Sequence, residues 1–271
     1  MARRVESPSS INIYKQCPRK YYYQYILKLP TKTSIHLVRG LIVHTVLEDF
    51  FKHVPLADDE NYPIRIKTIL QEMLVNEWKK NENKLNDLKL TQEQLFFYFD
   101  ETVAMILNFA EIFIEKLNLK ISEGLNFSQA FKNLCPISEE KFVSEKYNVM
   151  GFIDAIEKRD DGFYIMDYKT SKGNQINDAY KLQLSIYTLL FYEKYKQIPK
   201  KVGIFFLKHN EVFIDADFSL VKDAEFEIEQ IHSSTVSDNK EDYPMKPSPL
   251  CKWSSGQCDF YEQCFGKNGK F

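Results

Sequence analysis

Residues 141–170, KFVSEKYNVMGFIDAIEKRDDGFYIMDYKT, decide how this chain is read. Alternating apolar positions divide the stretch into three consecutive strands: Lys141–Met150, Gly151–Lys158 and Phe163–Thr170. Asp160-Asp161-Gly162 supplies a hairpin turn between the last two. Successive side chains on a strand point to opposite faces, so Asp167 and Lys169 share one face and Ile165 continues it inward. An antiparallel neighbour carrying Asp154 brings a second carboxylate toward the same place. Asp-x-Lys alone is common, and Asp154 alone is an ordinary turn residue. An acid on an apolar strand, a turn, and a second apolar strand ending in Asp-x-Lys form a much rarer order. Two carboxylates and a lysine suit divalent-metal hydrolysis of a phosphodiester, in which the metal lowers the pKa of the attacking water and offsets phosphate charge.

After this stretch the periodicity predicts a helix near Asp178–Lys196, stopped by Pro199. Strands over Lys201–Lys208 and Glu211–Phe218 follow, joined at His209-Asn210, and then a helix near Leu220–His232. Before the stretch the pattern is helical: a short helix capped at Ser9-Ser10, one from Ser34 to Lys52, and two more near Ile64–Lys84 and Gln92–Ile121. Pro55 and Asp58-Asp59-Glu60 mark a loop. The order βββαββα behind a helical region predicts an α/β fold with a mixed sheet. The expected organisation is one integrated unit: 1–53 as an N-terminal segment, 54–135 as a helical cap, 136–234 as the α/β core and 235–271 as a cysteine-bearing tail.

With 271 residues, 44% of them hydrophobic and 14% aromatic, the chain can bury a sizeable core. No apolar run is long enough for a bilayer and no secretory signal follows Met1, so a cytoplasmic protein is expected. A net charge of −2 argues against a passive nucleic-acid coat, which needs a broad positive field. The N-terminal stretch is locally basic, with Arg3, Arg4, Lys15, Arg19, Lys20, Lys28, Lys32 and Arg39 against Glu6; it offers a phosphate-contacting edge. Tyr21, Tyr22, Tyr23 and Tyr25 offer base-stacking surfaces, although at least two of them are expected in the core.

His44 follows Gly40 by four residues on one helical face. A lone histidine there is usually a packed one, and Gly40 permits close approach to another backbone. Gln183 and Tyr187 are similarly spaced on the helix after Asp-x-Lys. Cys17 stands near one end, while Cys251, Cys258 and Cys264 stand near the other. Reduced thiols favour metal ligation over disulfides, and the set suits either zinc or a [4Fe–4S] cluster. Cys135 stands apart as a buried or incidental cysteine. A four-ligand site of this kind clips both ends of the chain to one point.

Taken together, these motifs resemble the RecB-like branch of the PD-(D/E)XK nucleases. Within it they resemble the iron–sulfur members: the AddB nuclease domain and the CRISPR-associated and phage-encoded RecB-like exonucleases. Ser7-Pro-Ser-Ser-Ile-Asn-Ile-Tyr-Lys-Gln-Cys17-Pro-Arg-Lys-Tyr-Tyr-Tyr is similar to the family's entry motif. Gly40-Leu-Ile-Val-His44, Gly151-Phe-Ile-Asp154, Asp167-Tyr-Lys169 and Gln183-Leu-Ser-Ile-Tyr187 match the others in order. The resemblance implies Mg²⁺ or Mn²⁺ at His44, Asp154, Asp167 and the Tyr168 backbone carbonyl, with Lys169 catalytic. Gly40, Gln183 and Tyr187 then support the site, and Cys17, Cys251, Cys258 and Cys264 hold a [4Fe–4S] cluster. Two departures stand out. Ile153 precedes Asp154 where the family has proline, and six residues separate Cys251 from Cys258 where the family has two.

The expected activity is exonucleolytic hydrolysis of DNA, most simply of single-stranded ends. The chain has no phosphate-loop motif, so it is not itself a motor; a helicase, recombination or CRISPR-adaptation protein is the kind of partner that the resemblance allows. Two rivals remain: a DNA-end-binding subunit of a CRISPR-adaptation or recombination complex with little activity, and a zinc-stapled structural protein.

Overall fold

The computed structural model describes residues 4–53, 61–254 and 256–266, so the loop expected at Pro55 and Asp58-Asp59-Glu60, and Arg3, lie outside the described residues. The Asp160-Asp161 turn joins β2 (Val149–Arg159) to β3 (Gly162–Lys169), with Arg159 opposite Gly162. Gly162 has φ +139°, a conformation that favours glycine. β1 (Ile137–Ser144) pairs antiparallel with β2, and β4 (Lys201–Phe206) pairs parallel with β3. The outer β5 (Glu211–Asp215) pairs antiparallel with β4, giving the order β1-β2-β3-β4-β5. Parallel neighbours need a crossover, and α8 (Asp178–Tyr195) supplies it. The expected α/β class and mixed sheet are both present.

Several boundaries differ from the sequence reading. The break between the first two strands falls at Glu145–Asn148 rather than at Met150–Gly151. Asn148 takes φ +48°, which asparagine tolerates, and the Tyr147 N–H donates to Ser144 Oγ at 3.1 Å. Val149 and Met150 therefore belong to the same strand as Gly151 and Asp154. The helix expected over Ile64–Lys84 is two pieces, α4 (Tyr62–Lys80) and α5 (Glu82–Asn86). The break is at Asn81, whose buried side-chain amide donates to the Glu77 carbonyl at 3.0 Å and competes with the backbone ladder. Ser7, not Ser9-Ser10, caps α1 (Pro8–Gln16), because Pro8 has no N–H to satisfy and Ser10 completes the capping box. β4 stops at Phe206 because the chain turns back there, with the His209 N–H on the Phe206 carbonyl at 2.7 Å. β5 stops at Asp215, and Asp217 caps α9 (Phe218–Ser234).

Helices cover both faces of the sheet. On one side lie α3 (Ile35–His53), α4, α6 (Gln92–Ser122) and α7 (Phe127–Leu134). Thr91 and Gln94 form a capping box for α6. Its buried residues Thr102, Met105, Ile106, Phe109, Ala110, Phe113, Ile114 and Leu117 keep the three-and-four spacing of one helical stripe. They meet Val43, Leu47 and Phe50 of α3 and Met166, Tyr168 and Phe205 of the sheet. On the other side, α8 and α9 pack on Ile153, Ile165, Val202, Ile204 and Phe206. Among the described residues no helix is long and apolar enough to cross a membrane.

The chain ends meet beside this second core. Tyr21, Tyr22 and Tyr23, on α2 (Pro18–Tyr21) and the π-helical turn after it, are buried. Tyr21 stacks on Tyr243 of the tail, and the Tyr21 hydroxyl donates to buried Glu6 at 2.5 Å. These three rings are core and offer no surface to a base. The basic N-terminal edge also disperses. Buried Arg19 donates from Nε to the Tyr243 carbonyl at 2.6 Å, Arg4 lies over Tyr25, and Lys15 pairs with Glu227.

Gly203 lies on β4 opposite Phe213, and an added Cβ there would stand 2.5 Å from both the Val212 carbonyl oxygen and the Phe213 ring. Backbone cannot yield cheaply, so Gly203→Ala is expected to cost about 1–3 kcal/mol as overpacking does elsewhere. Thermal melts would show this as a drop of several degrees; an unchanged melting temperature would contradict the packing.

Candidate active site

The β2–β3 ladder runs from Arg159↔Gly162 to Ala155↔Met166 and ends there. One step beyond, Asp154 faces Asp167. The Asp154 side chain takes over from the ladder, its Oδ2 accepting the Tyr168 N–H at 2.7 Å. Its other oxygen, Oδ1, lies 3.1 Å from His44 Nδ1, which α3 brings in from the helical side. Opposed acids at the mouth of a two-strand fork thus receive a third group from a separate element.

Asp167 is almost wholly buried. Gln183 Nε2 donates to its Oδ1 at 2.7 Å, and the Tyr187 hydroxyl approaches the same oxygen at 3.3 Å; both side chains come from α8. Gln183 also donates to the Tyr187 hydroxyl at 2.7 Å, so the pair orients this carboxylate as a unit. Lys169 Nζ lies 2.6 Å from Oδ2 as an ion pair, and this buried oxygen has no other partner among the described residues. Burial pushes the Asp167 carboxyl up, against the pull of Lys169, and Asp154 adds to the rise. Burial also pushes the Tyr187 hydroxyl well up, with Asp167 adding to it, so Tyr187 remains a neutral donor.

These residues suit a hard divalent ion. Two carboxylates and an imidazole are the oxygen and nitrogen donors that Mg²⁺ and Mn²⁺ accept, and the buried Oδ2 of Asp167 keeps unsatisfied acceptor capacity. Among the described residues no three such groups converge on one point as they stand. The fit therefore rests on donor chemistry and on this unsatisfied oxygen. The structure brings together His44, Asp154, Asp167, Lys169, Gln183 and Tyr187. The Tyr168 contribution it shows is the backbone N–H. The close backbone approach expected at Gly40 is not found: among the described residues nothing outside its own helix lies within 4 Å of where its Cβ would stand. Sequence reasoning missed Glu101 of α6, which joins Arg39 at 2.7 Å and Lys208 at 2.5 Å, because no local pattern marks a partner so distant in sequence.

Cys17, Cys251, Cys258 and Cys264 line one cavity of about 200 Å³, while Cys135 lies apart and exposed. The six residues between Cys251 and Cys258 include β6 (Lys252–Trp253) and β7 (Gly256–Gln257), which pair as a small hairpin. The hairpin returns the chain on itself, and the Cys258 N–H donates to the Cys251 carbonyl at 2.9 Å. The long spacing therefore still yields neighbouring thiols. Burial, then the nearby Cys17 and Cys258, push the Cys264 thiol up to about 11. The four thiols line one cavity, but among the described residues no three of them converge on one point as they stand.

A family model described as the PD-(D/E)XK nuclease superfamily matches residues 6–265. The chain belongs to the PD-(D/E)XK nuclease superfamily. Among curated relatives, an ATP-dependent helicase/deoxyribonuclease subunit from Clostridium novyi (strain NT) is 28% identical over 195 residues, covering 67% of this chain and 17% of that protein. Its namesake from Clostridium tetani (strain Massachusetts / E88) is 25% identical over 244 residues, covering 80% and 20%. This chain thus spans a fifth or less of the length of those relatives. A solved structure from Eubacterium rectale, provisionally assigned as an exonuclease, superimposes with TM-score 0.50 at 12% identity over 92% of this chain and 86% of that one. That likeness is one of fold.

In the metal-free nuclease, burial disfavours the His44 imidazolium, but the hydrogen bond and charge of Asp154 outweigh it and raise its pKa. The resulting stabilisation is full below the unfolded value of about 6.5 and is lost as pH rises through the higher folded value. Ring-proton NMR of metal-free protein should place the His44 midpoint above that value, and Asp154→Asn should lower it. A midpoint at or below the ordinary value in the unsubstituted protein contradicts the pairing.

Proposed function

We propose that this chain is a divalent-metal-dependent deoxyribonuclease that works as an exonuclease on single-stranded DNA ends. The observation that carries the reading is the opposed pair Asp154 and Asp167 at the β2–β3 fork, with His44 on one carboxylate and Lys169 on the other. In this reading His44, Asp154, Asp167 and the Tyr168 carbonyl hold Mg²⁺ or Mn²⁺. The bound ion supplies charge neutralisation at the phosphate and acidifies water. Lys169 orients the attacking water or offsets charge developing on the phosphate oxygens. Gln183 and Tyr187 hold Oδ1 of Asp167 and leave Oδ2, beside Lys169, as the oxygen that would ligate the ion. The segment 54–135 serves as a cap over the entry.

Cys17, Cys251, Cys258 and Cys264 are proposed to hold a [4Fe–4S] cluster, with a structural role because hydrolysis transfers no electron. The clostridial relatives, named as subunits of an ATP-dependent helicase/deoxyribonuclease, support DNA as the substrate and a helicase as partner.

Digestion of end-labelled single-stranded DNA with Mn²⁺, comparing anaerobically purified protein with Lys169→Ala, tests the catalytic reading. The substitution is expected to lower the rate by about 10²-fold or more, as loss of a positioned proton-transfer group does. Protein that binds ends and cuts nothing refutes the nuclease and leaves an end-binding subunit. The cluster has its own readout: a brown protein with broad visible absorption, lost in Cys258→Ser. Colourless protein containing zinc would refute it.

A further inference from the structure

His36, Gly40 and His44 lie four residues apart, forming one inclined row on α3. The row is open. His36 is exposed, and among the described residues no atom beyond Gly40's chain neighbours and its own helix backbone comes within 4 Å of a Cβ at Gly40. A glycine inside a helix costs about 0.5–1 kcal/mol relative to alanine, and this one is not needed to admit any neighbour within the protein. Two large apolar residues flank the row on the side away from the core. Leu37 is 64% exposed and Leu41 49% exposed, on a helix whose other large apolar residues are mostly buried. Residues 37, 41 and 44 follow the i, i+4, i+7 stripe, so the exposed leucines lead along the helix to His44.

The opposite flank is basic. Arg39, only 3% exposed, donates to the Thr170 carbonyl at 3.3 Å, immediately after Lys169, and its Nε has no partner. β3 and β4 are parallel, so the chain beyond both strands leaves the sheet at one end, with the Leu207 N–H on the Lys169 carbonyl at 2.9 Å. Lys172 follows β3 and Lys208 follows β4. Asn108 of α6 fixes the second turn by donating to the Leu207 carbonyl at 3.1 Å and the His209 carbonyl at 2.8 Å. His209 Nε2 lies 3.2 Å from the Lys172 carbonyl, which ties the two turns together. Glu101 lies between Arg39 and Lys208 and pairs with both. Burial, then Arg39, with Lys172 and Lys208 adding to it, holds the His36 imidazole below its ordinary pKa, as expected where three cations crowd one ring. Among the described residues Lys172 Nζ has no carboxylate partner, so this flank keeps excess positive charge beside an acidic centre.

Along α3, His44 is five positions beyond Arg39, a rise of about 7.5 Å at 1.5 Å per residue. A surface with cations on one side, bare apolar side chains on the other and an open stretch of helix between them matches a single nucleic-acid strand, with its phosphates and bases on opposite edges. We propose that Lys172 and Lys208, backed by Arg39 and Glu101, bind the phosphate next to the one at the His44–Asp154–Asp167 centre, on a strand laid along the row His36–Gly40–His44 with its bases against Leu37 and Leu41. The inference rests on the proposed strand-cutting site and gives it a direction of approach.

The test uses the Lys169→Ala chain, so that the strand is bound without being consumed. Fluorescence anisotropy of a labelled oligothymidylate would be followed with Mn²⁺ over a series of salt concentrations. Lys172→Ala and Lys208→Ala should each weaken binding and lower the slope of log affinity against log salt by about 0.7, the single-strand value for one lost phosphate contact. Lys208→Arg should restore the slope, and Lys222→Ala on α9 should leave it unchanged. Gly40→Ala, whose Cβ meets none of the described neighbours, should keep the melting temperature, and Gly40→Leu should weaken binding. If Lys208→Ala fails to fold through loss of the Glu101 pair, Lys172→Ala alone decides. Unchanged affinity and slope in the lysine variants overturn the subsite, whatever the parent protein does to DNA. Binding with the expected slopes but no cleavage by the Lys169-containing protein would sustain the subsite and sink the nuclease reading.

Discussion

A carboxylate shut away from water must find every partner inside the protein, and Asp167 is shut away in this manner. Much of the architecture around it follows. Gln183 and Tyr187 reach its Oδ1 only because α8 crosses from β3 to β4 directly over the strand. That crossing needs Gly151, where any Cβ would stand 3.0 Å from the Tyr187 ring. The second oxygen is left to Lys169, two residues along the same strand, and to whatever cation enters the fork. Sheet register, helix placement and one glycine therefore answer to a single buried charge.

The centre was legible because its determinants are local. Asp160-Asp161-Gly162 announces the hairpin, and the hairpin with a period of two sets Asp154 opposite Asp167 by counting alone. The four-residue spacings of Gly40 with His44 and of Gln183 with Tyr187 likewise belong to single helices. What stayed hidden depends on contacts made across the fold. The Arg39–Glu101–Lys208 arrangement joins three elements separated by 62 and 107 residues. The tyrosines at 21–23 read as surface or core with equal ease until Tyr243, from the opposite end of the chain, packs against two of them. Asn81 breaks a helix through its own side chain, which no amphipathic count detects.

The two ends of the chain are joined independently of the cysteines. Arg19 holds the Tyr243 carbonyl, the Arg19 N–H meets the Pro244 carbonyl, and the Tyr23 hydroxyl donates to the Gln263 carbonyl at 3.2 Å. The rings of Tyr14, Tyr21 and Tyr22 pack around Tyr243 beneath them. The thiol cavity thus rests on a support made of aromatic packing and backbone hydrogen bonds. Closing the chain at that point orders little that is not already ordered.

The hairpin between Cys251 and Cys258 carries Trp253, one of only two tryptophans in the chain, and its indole helps to line the thiol cavity. The other, Trp78, sits edge-on to Phe99 among the helices on the far side of the sheet. One indole therefore stands at the cavity wall and one far from it in the same molecule. The ratio of their emissions is a built-in optical gauge of the cavity's contents, readable without any label.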